Sequence, residues 1–266
     1  MGLSDFLLPE RLPRQVVYAG DRHGEIFTLS KQRIVRRLRV EAAALADPGA
    51  SDGWPKIAER LQPVDTGVIL NSDPFIFNFI EFDKLQWSRK LLRELVDWKL
   101  QKIFPEDIAA YDHRFFRLNK KRILSILVKK SLLAHIEAEF REKGIPLITI
   151  GNSALEIFNR LAKLRRPPDF FVETDVSSCC LVFQKLGAPI YVRKFKSGSL
   201  EELAAEIGKT VQFVRNNSGC DPRRFELIDH REEVSPEELA EQLAQEGLSC
   251  PNAIRAVPAP YIPGCR

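Results

Sequence analysis

The stretch FFVETDVSSCCLVFQKLGAPIYVRKF, residues 170–195, decides the fold of this chain. It contains three short strand-like runs, Phe170–Thr174, Cys179–Phe183 and Ile190–Phe195, separated by turn-forming residues. A predicted helix (200–216), a strand (225–228), a second helix (236–246) and a last strand (253–257) follow in the chain. Three strands followed by alternating helices and strands predict one sheet with helices packed against it.

The first part of the chain repeats this order. Strand-like runs at 16–19, 25–29 and 33–40 precede an amphipathic stretch at 54–61 and an apolar run at 67–70. Two such units side by side form actin-like and sugar-kinase-like folds, whose ligands bind where the first hairpin turns of the two units face each other. We therefore predict an α/β, actin-like fold with two ribonuclease-H-like units and a functional site at those turns.

An insertion interrupts the first unit. It contains a predicted helix at 87–102 and two strands at 109–118 and 122–128, after which the unit resumes with a helix (131–143), a strand (147–150) and a helix (153–164). The predicted organisation is an N-terminal segment (1–14), the first unit (15–74 and 131–165), a small inserted α+β subdomain (75–130), the second unit (169–258) and a tail (259–266). The prolines at 167 and 168 predict a hinge between the two units.

Three helix starts carry the capping-box pattern, in which a hydroxyl and a carboxylate three residues later satisfy free backbone amides. Ser199 with Glu202 predicts the start of the helix at 200–216, and Ser153 with Glu156 predicts the start of the helix at 153–164. Ser235 with Glu238 predicts the start of the helix at 236–246.

The helix of the insertion has an unusually broad apolar face. The residues on one side are Trp87, Leu91, Leu95 and Trp98, with Leu92 and Val96 beside them. Part of this face must cover the strands of the insertion. We expect the rest, built from Trp87, Leu91, Leu95 and Trp98, to be a docking surface, because binding energy concentrates on exposed aromatic-rich patches.

The composition excludes several classes of protein. The chain has 266 residues, 44% of them hydrophobic, and a net charge of only +4, so a dedicated nucleic-acid binder is not expected. The longest apolar run, 74–82, is far shorter than the roughly 20 residues that cross a bilayer, which predicts a cytoplasmic protein with no membrane insertion. Five cysteines at irregular spacing predict neither a zinc site nor a disulfide framework.

Two longer stretches resemble a known family. The succession LLRELVDWKLQKIFPEDIAAYDHRFF (91–116), followed by RILSILVKKSLLAHIEAEFREKGIPLITIGNSALEIFNRL (122–161), is similar to the PilM proteins of type IV pilus assembly and to the cytoplasmic domains of the type II secretion protein GspL. The resemblance extends from about residue 5 to 232, and the order of its motifs is more specific than any single motif.

The resemblance implies an actin-like fold with an inserted subdomain. It also implies a location at the cytoplasmic face of the inner membrane, and binding of the cytoplasmic N-terminal peptide of a membrane-anchored PilN-like partner in a groove that involves the insertion. We therefore predict a cytoplasmic scaffold that serves a pilus or secretion platform and contacts its other components.

Members of this family that bind ATP carry three signatures, and all three are altered here. The first hairpin reads YAGDRHG (18–24), so Gly20 is kept but Tyr18 replaces the strand-end aspartate that holds the magnesium water shell. The second reads ETDVSS (173–178), with Asp175 in the position of a glycine that lets phosphate approach. The third, LIDH (227–230), has no glycine.

These changes predict a degenerate nucleotide site, no enzymatic activity and no required ATP or magnesium. The residues that would line the vestigial site are Gly20, Arg22, Glu173, Asp175, Ser177 and Ser178. The triplet at 208–210, which imitates the end of a P-loop, lacks the opening glycine and lies inside a predicted helix.

Two alternatives stay open from the sequence. The first is a weak ATP-binding switch, with Gly20, Arg22, Glu173 and Ser177 around the phosphates. The second is a metal-dependent nuclease of the ribonuclease-H type, in which Glu173, Asp175 and Asp229 would hold two divalent ions.

Overall fold

The structure, a computed structural model, describes residues 13–21, 23–31, 33–41, 45, 53–85, 88–104, 108–196, 198–230, 236–245 and 247–255. These residues divide into two compact units. The larger comprises the described parts of Met1–Asp73 and Glu139–Arg266, and the smaller those of Pro74–Ala138.

The strands are β1 (Gln15–Ala19), β2 (His23–Ser30), β3 (Arg33–Glu41), β4 (Thr66–Leu70), β5 (Phe75–Glu81), β6 (Tyr111–Arg117), β7 (Arg122–Lys129), β8 (Leu147–Asn152), β9 (Phe170–Thr174), β10 (Ser178–Lys185), β11 (Ala188–Lys196), β12 (Arg224–Asp229) and β13 (Ser249–Arg255). The helices are α1 (Gly53–Ala58), α2 (Arg89–Ile103), α3 (Lys130–Glu142), α4 (Ser153–Leu161), α5 (Leu200–Ser218) and α6 (Pro236–Gln245), and a 3-10 turn covers Ile108–Ala110.

The larger unit contains two five-stranded sheets with the same topology. Their orders are β3-β2-β1-β4-β8, called here the first lobe, and β11-β10-β9-β12-β13, the second lobe. In each sheet the first three strands are antiparallel, and the last two run parallel to the first. The repeat confirms the predicted actin-like arrangement of two ribonuclease-H-like sheets.

The central strands are buried on both faces, as their apolar sequences require. All five residues of β1, β4 and β9 are buried. In the second lobe the ring of Phe170 stacks on Phe183 at 4.6 Å and on Phe225 at 5.2 Å, and Ile207 and Val211 of α5 belong to the same core. This aromatic core fixes β9 at the centre of its sheet, so the turn after β9 has a rigid base.

One of the three predicted capping boxes is confirmed, and Ser235 of a second lies outside the described residues. The Ser199 hydroxyl accepts from the Glu202 amide, and the Glu202 carboxylate accepts from the Ser199 amide. The prediction for α4 is wrong by one residue, because Asn152 is the cap and accepts from the Leu155 amide. Asparagine is as good an N-cap residue as serine, so residue type alone does not decide which of Asn152 and Ser153 is the cap.

The smaller unit contains the strands and helix of the insertion. Its sheet has the order β5-β7-β6, so β5 is a third strand that the sequence analysis did not assign. This strand pairs antiparallel with β7 from Phe75 opposite Val128 to Glu81 opposite Arg122. The buried side chains of α2 that pack in this unit are Leu92, Val96 and Leu100.

Candidate functional site

Two equivalent turns carry the candidate site in the larger unit. One follows β1 and is closed by the Gly20 amide, which donates to the His23 carbonyl at 3.0 Å. The other follows β9 and is closed by the Asp175 amide, which donates to the Ser178 carbonyl at 2.7 Å. The predicted facing of the two turns is observed, because side chains of each turn bond to the other.

The carboxylate of Asp21 lies inside the second turn. Its Oδ2 accepts from the Ser177 amide at 2.8 Å, from the Ser177 hydroxyl at 2.6 Å and from the Ser178 hydroxyl at 3.4 Å. Backbone amides and hydroxyls that converge on one oxygen form an anion site. The chain therefore fills this anion site with a carboxylate of its own.

Asp175 makes the reciprocal contact with the first turn. Its Oδ2 accepts from the Asp21 amide at 3.1 Å, while its Oδ1 accepts from the Val176 amide at 2.8 Å. Burial, together with the charge of Asp21, raises the pKa of Asp175 above its usual 3.8, although His230 and the two amides oppose this rise.

Asn71, directly after β4, joins the two carboxylates. Its Nδ2 donates to Asp21 Oδ1 and, at 3.3 Å, to Asp175 Oδ2. The Asn71 side chain is buried, and its backbone amide donates to the Ala19 carbonyl at 2.9 Å. We call the set Asp21, Asn71, Asp175 and Ser177 the carboxylate clasp.

The clasp removes the space above Gly20. A Cβ atom at Gly20 would lie 2.9 Å from Asp175 Oδ2, closer than Cβ atoms approach, and in a tight contact of 3.2 Å with Tyr18 Cε1. A glycine in this turn normally leaves room for a phosphate. Here the Asp175 carboxylate occupies that room, as its place in the second signature suggests.

Tyr18 stands where a nucleotide-binding turn of this kind has a carboxylate. Its ring is buried and stacks on the His230 ring, with centroids 4.8 Å apart and planes inclined by 16°. Burial, with the nearby carboxylates of Asp175 and Glu173, raises the pKa of Tyr18 well above 10.0, so the phenol stays neutral. An aromatic stack therefore replaces a charged group at the end of β1.

Glu173 is also tied to the opposite lobe. Its Oε2 accepts from the Ser72 hydroxyl at 2.9 Å, and its Oε1 lies 3.4 Å from His230 Nε2. Burial lowers the pKa of His230, but the adjacent Glu173 carboxylate, with the charges of Asp175 and Asp229, outweighs it, so the pKa is raised above 6.5. When His230 is protonated, it forms a buried ion pair with Glu173.

The carboxylates considered for a nuclease are engaged in other contacts. Asp229 Oδ1 accepts from the Thr174 hydroxyl at 2.6 Å, while Glu173 and Asp175 bond to Ser72 and Asn71. Within the part of the chain that the structure describes, no group of three or more His, Cys, Asp or Glu side chains is placed to hold a metal ion.

The vestigial site predicted from the sequence is brought together by the fold. Gly20, Glu173, Asp175, Ser177 and Ser178 all lie at the facing turns, whereas Arg22 lies outside the described residues. No sequence signal points to a role at this site for Asp21, Asn71, Ser72, Asn152 or His230. Three of these, Asn71, Ser72 and Asn152, sit at the carboxyl ends of β4 and β8, where parallel strands bring polar residues to one edge.

The predicted docking surface is partly exposed. On α2, Leu91 and Trp98 are 50% and 49% exposed and Leu95 is half-buried, whereas Trp87 lies outside the described residues. Lys102 Nζ lies 3.8 Å from the centre of the Trp98 ring. Since Leu92, Val96 and Leu100 cover the sheet of this unit, Leu91, Leu95 and Trp98 form a second apolar stripe that its core does not use.

Comparison with known proteins gives similarity in structure only. No protein-family model matches the sequence, and neither does any curated protein. The fold is similar to a PilM–PilN type IV pilus biogenesis complex, with a TM-score of 0.72 and 14% identity over 95% of this chain and 90% of that one.

Two further structures share the fold. The cytoplasmic domain of EpsL, an inner-membrane component of the type II secretion system of Vibrio cholerae, matches with a TM-score of 0.58 and 10% identity over 87% of this chain and 93% of that one. A Bacteroides thetaiotaomicron protein of unknown function with an actin-like ATPase fold matches with a TM-score of 0.57 and 8% identity over 90% of each chain.

The chain is thus a protein of the actin-like ATPase fold class, as the repeated sheets predict. The predicted similarity to PilM and to the cytoplasmic domain of a type II secretion protein is confirmed at the level of the fold. None of the described helices is long and apolar enough to cross a membrane.

Proposed function

We propose that this protein is a non-catalytic scaffold of a type IV pilus or type II secretion platform. The observation that carries the proposal is the carboxylate clasp, which places the chain's own anionic groups where an actin-like protein would receive phosphates. The similarity in fold to the PilM–PilN complex and to EpsL supports the choice of machinery.

Phosphate binding would have to break the clasp. Asp21 would leave the Ser177 amide and hydroxyl, and Asp175 would leave the Asp21 amide. The arriving phosphates would then face both displaced carboxylates and Glu173, a repulsion that is strong where burial limits screening by water. The lost hydrogen bonds and the repulsion between charges support the proposal that the site no longer binds a nucleotide.

The partner we propose is a membrane-anchored, PilN-like protein, bound through its cytoplasmic N-terminal peptide. The stripe of Leu91, Leu95 and Trp98 offers it an apolar surface with an aromatic anchor. A PilN-like partner would hold the scaffold as a peripheral protein at the cytoplasmic face of the inner membrane, beside other components of the platform.

Calorimetry with the N-terminal peptide of a PilN-like protein encoded nearby tests the partner. We expect Trp98→Ala and Leu91→Ala to weaken binding by about tenfold or more, as hot-spot residues do. Leu164→Ala is the matched control, because Leu164 is exposed to a similar extent, 47% against 50%, and lies in the other unit. Absence of binding by the wild type, or equal losses in the control, would contradict this part of the proposal.

A thermal-shift assay with ATP and magnesium tests the loss of the nucleotide site. A ligand with a Kd of about 10 µM would stabilise the fold by about 2.7 kcal/mol at about 1 mM, which is easily detected. We expect no shift for the wild type. A concentration-dependent rise in melting temperature would instead support the weak ATP-binding switch.

A further inference from the structure

The turn between β10 and β11 holds a leucine in an unfavourable conformation. Two residues, Leu186 and Gly187, connect Lys185 to Ala188, and both have positive φ, 53° and 72°. This is the pattern of a type I′ turn, for which asparagine or glycine is preferred at the first position. Leucine is disfavoured there because its Cβ crowds the backbone.

Packing does not compensate for this strain. Leu186 is 100% exposed, whereas other large apolar side chains on the described surface, such as Trp98 and Phe213, are about half covered. A single exposed leucine is ordinary. One that is wholly exposed and also held at positive φ gains nothing from burial that would offset the strain, and such outliers concentrate at functional sites.

A hollow of about 290 Å³ lies beside this turn. Its apolar lining includes Pro167, Pro168, Ile190, Cys220 and Pro222, and Leu186 stands at its edge. We call Leu186 and these five residues the tip surface. Together they offer an apolar projection next to a recess that is lined by both apolar and polar groups.

The charges around the tip surface favour an acidic partner. Two carboxylates lie there: Asp221 pairs with the side chains of Arg215 and Arg223 at 2.8 and 2.6 Å, whereas Asp169 accepts from the neutral backbone amides of Arg223 and Arg224 at 3.1 and 2.9 Å and keeps its charge. The Arg224 guanidinium donates to the neutral Pro167 carbonyl at 3.1 Å and so keeps its full charge.

Lys185, next to Leu186, is exposed and has no acidic partner among the described residues. Basic side chains therefore outnumber carboxylates around the tip surface: they are Lys185, Arg215, Arg223 and Arg224, against Asp169 and Asp221.

We propose that the tip surface is a second docking site, which binds an acidic protein segment that carries a bulky apolar side chain. The apolar side chain enters the hollow against Leu186, and the acidic residues meet Lys185 and Arg224. This site lies in the larger unit and does not depend on the α2 stripe or on the proposed role in pilus assembly or secretion.

Leu186→Asn separates binding from folding. Asparagine fits the positive φ better than leucine, so the variant should melt at the same temperature as the wild type or higher, while its apolar projection is lost. Val35→Asn, which alters an exposed side chain (61%) in the first lobe, is the matched control. Lys185→Glu tests whether the positive charge of Lys185 contributes to binding of the acidic segment.

The probe is a short acetylated peptide with a central leucine flanked by glutamates, followed by NMR titration of the full chain. We expect saturable shifts at the tip surface, a Kd raised about tenfold by Leu186→Asn and by Lys185→Glu, and no effect of Val35→Asn. A control peptide in which lysines replace the glutamates should not bind. The affinity of the glutamate peptide should fall as the salt concentration rises.

Three results would overturn the proposal. One is the absence of saturable shifts at peptide concentrations up to about 1 mM. Another is equal affinity of the wild type and Leu186→Asn for the glutamate peptide. The third is a concentration-dependent dimer in sedimentation that Leu186→Asn disperses, which would assign the tip surface to a second copy of this chain.

Discussion

Asn71→Ala is the sharpest perturbation of the carboxylate clasp. The Asn71 side chain is 2% exposed, and its amide is shared between Asp21 and Asp175. The alanine variant keeps the backbone hydrogen bond to Ala19 and loses only the side-chain amide that links Asp21 to Asp175. Two buried or half-buried carboxylates are then left facing each other without a common donor.

The expected loss follows from these two bonds. Hydrogen bonds to charged groups contribute about 1.5–3 kcal/mol each, and the bond to Asp175 is at the weak end because it is 3.3 Å long. We expect the free energy of unfolding of the larger unit to fall by about 2–4 kcal/mol at neutral pH. For a unit of this size the melting temperature should fall by about 4–16 °C.

The loss should shrink in acid. The pKa of Asp175 is raised in the folded protein relative to the unfolded chain. Such a carboxyl group contributes its full stability at pH values below the pKa of the unfolded chain, and that contribution is lost as the pH rises through the pKa of the folded protein. Without Asn71 the pKa of Asp175 rises further, so the variant should regain part of its deficit between about pH 7 and pH 4.

Urea unfolding followed by circular dichroism at several pH values measures the deficit. Asn217→Ala serves as the control, because that exposed side chain bonds only to the Phe213 carbonyl of its own helix, and we expect a change within about 0.5 kcal/mol. A deficit below about 1 kcal/mol at neutral pH, or one that grows in acid, would refute the clasp as a stabilising contact between the lobes.

Two further predictions concern the same turns. Gly20→Ala should lower the free energy of unfolding by about 1–3 kcal/mol, because the added Cβ overpacks against Asp175. Part of this loss should vanish in an Asp175→Gly background. Additive effects of the two substitutions in a double-mutant cycle would contradict the contact. The raised pKa of His230 predicts stability that is complete below pH 6.5 and declines as the pH rises through the folded value, because Glu173 then loses its buried counter-charge. Urea unfolding from about pH 6 to pH 9 should show this decline in the wild type and not in His230→Gln, and an identical pH profile in both would argue against the ion pair.

Much of the fold can be predicted from the sequence because its signals are local. Apolar runs of four to nine residues, capping residues and turn residues set each element over short distances along the chain. The order of those elements is enough to predict both five-stranded sheets. Strand β5 was missed because a short apolar run, Phe75–Glu81, has no alternation that separates a strand from other buried segments.

The sequence by itself also determined which groups a nucleotide site would lack: a carboxylate at Tyr18, a glycine at Asp175 and any glycine at 227–230. Only the tertiary structure decided what replaces them. Asp21 and Ser177 are 156 residues apart, and no local pattern pairs them. The packing of β1 and β9 in separate lobes brings the two turns together, and the same kind of long-range packing decides which stripe of α2 is covered. Such contacts depend on distances between distant residues, which periodicity and residue type do not encode.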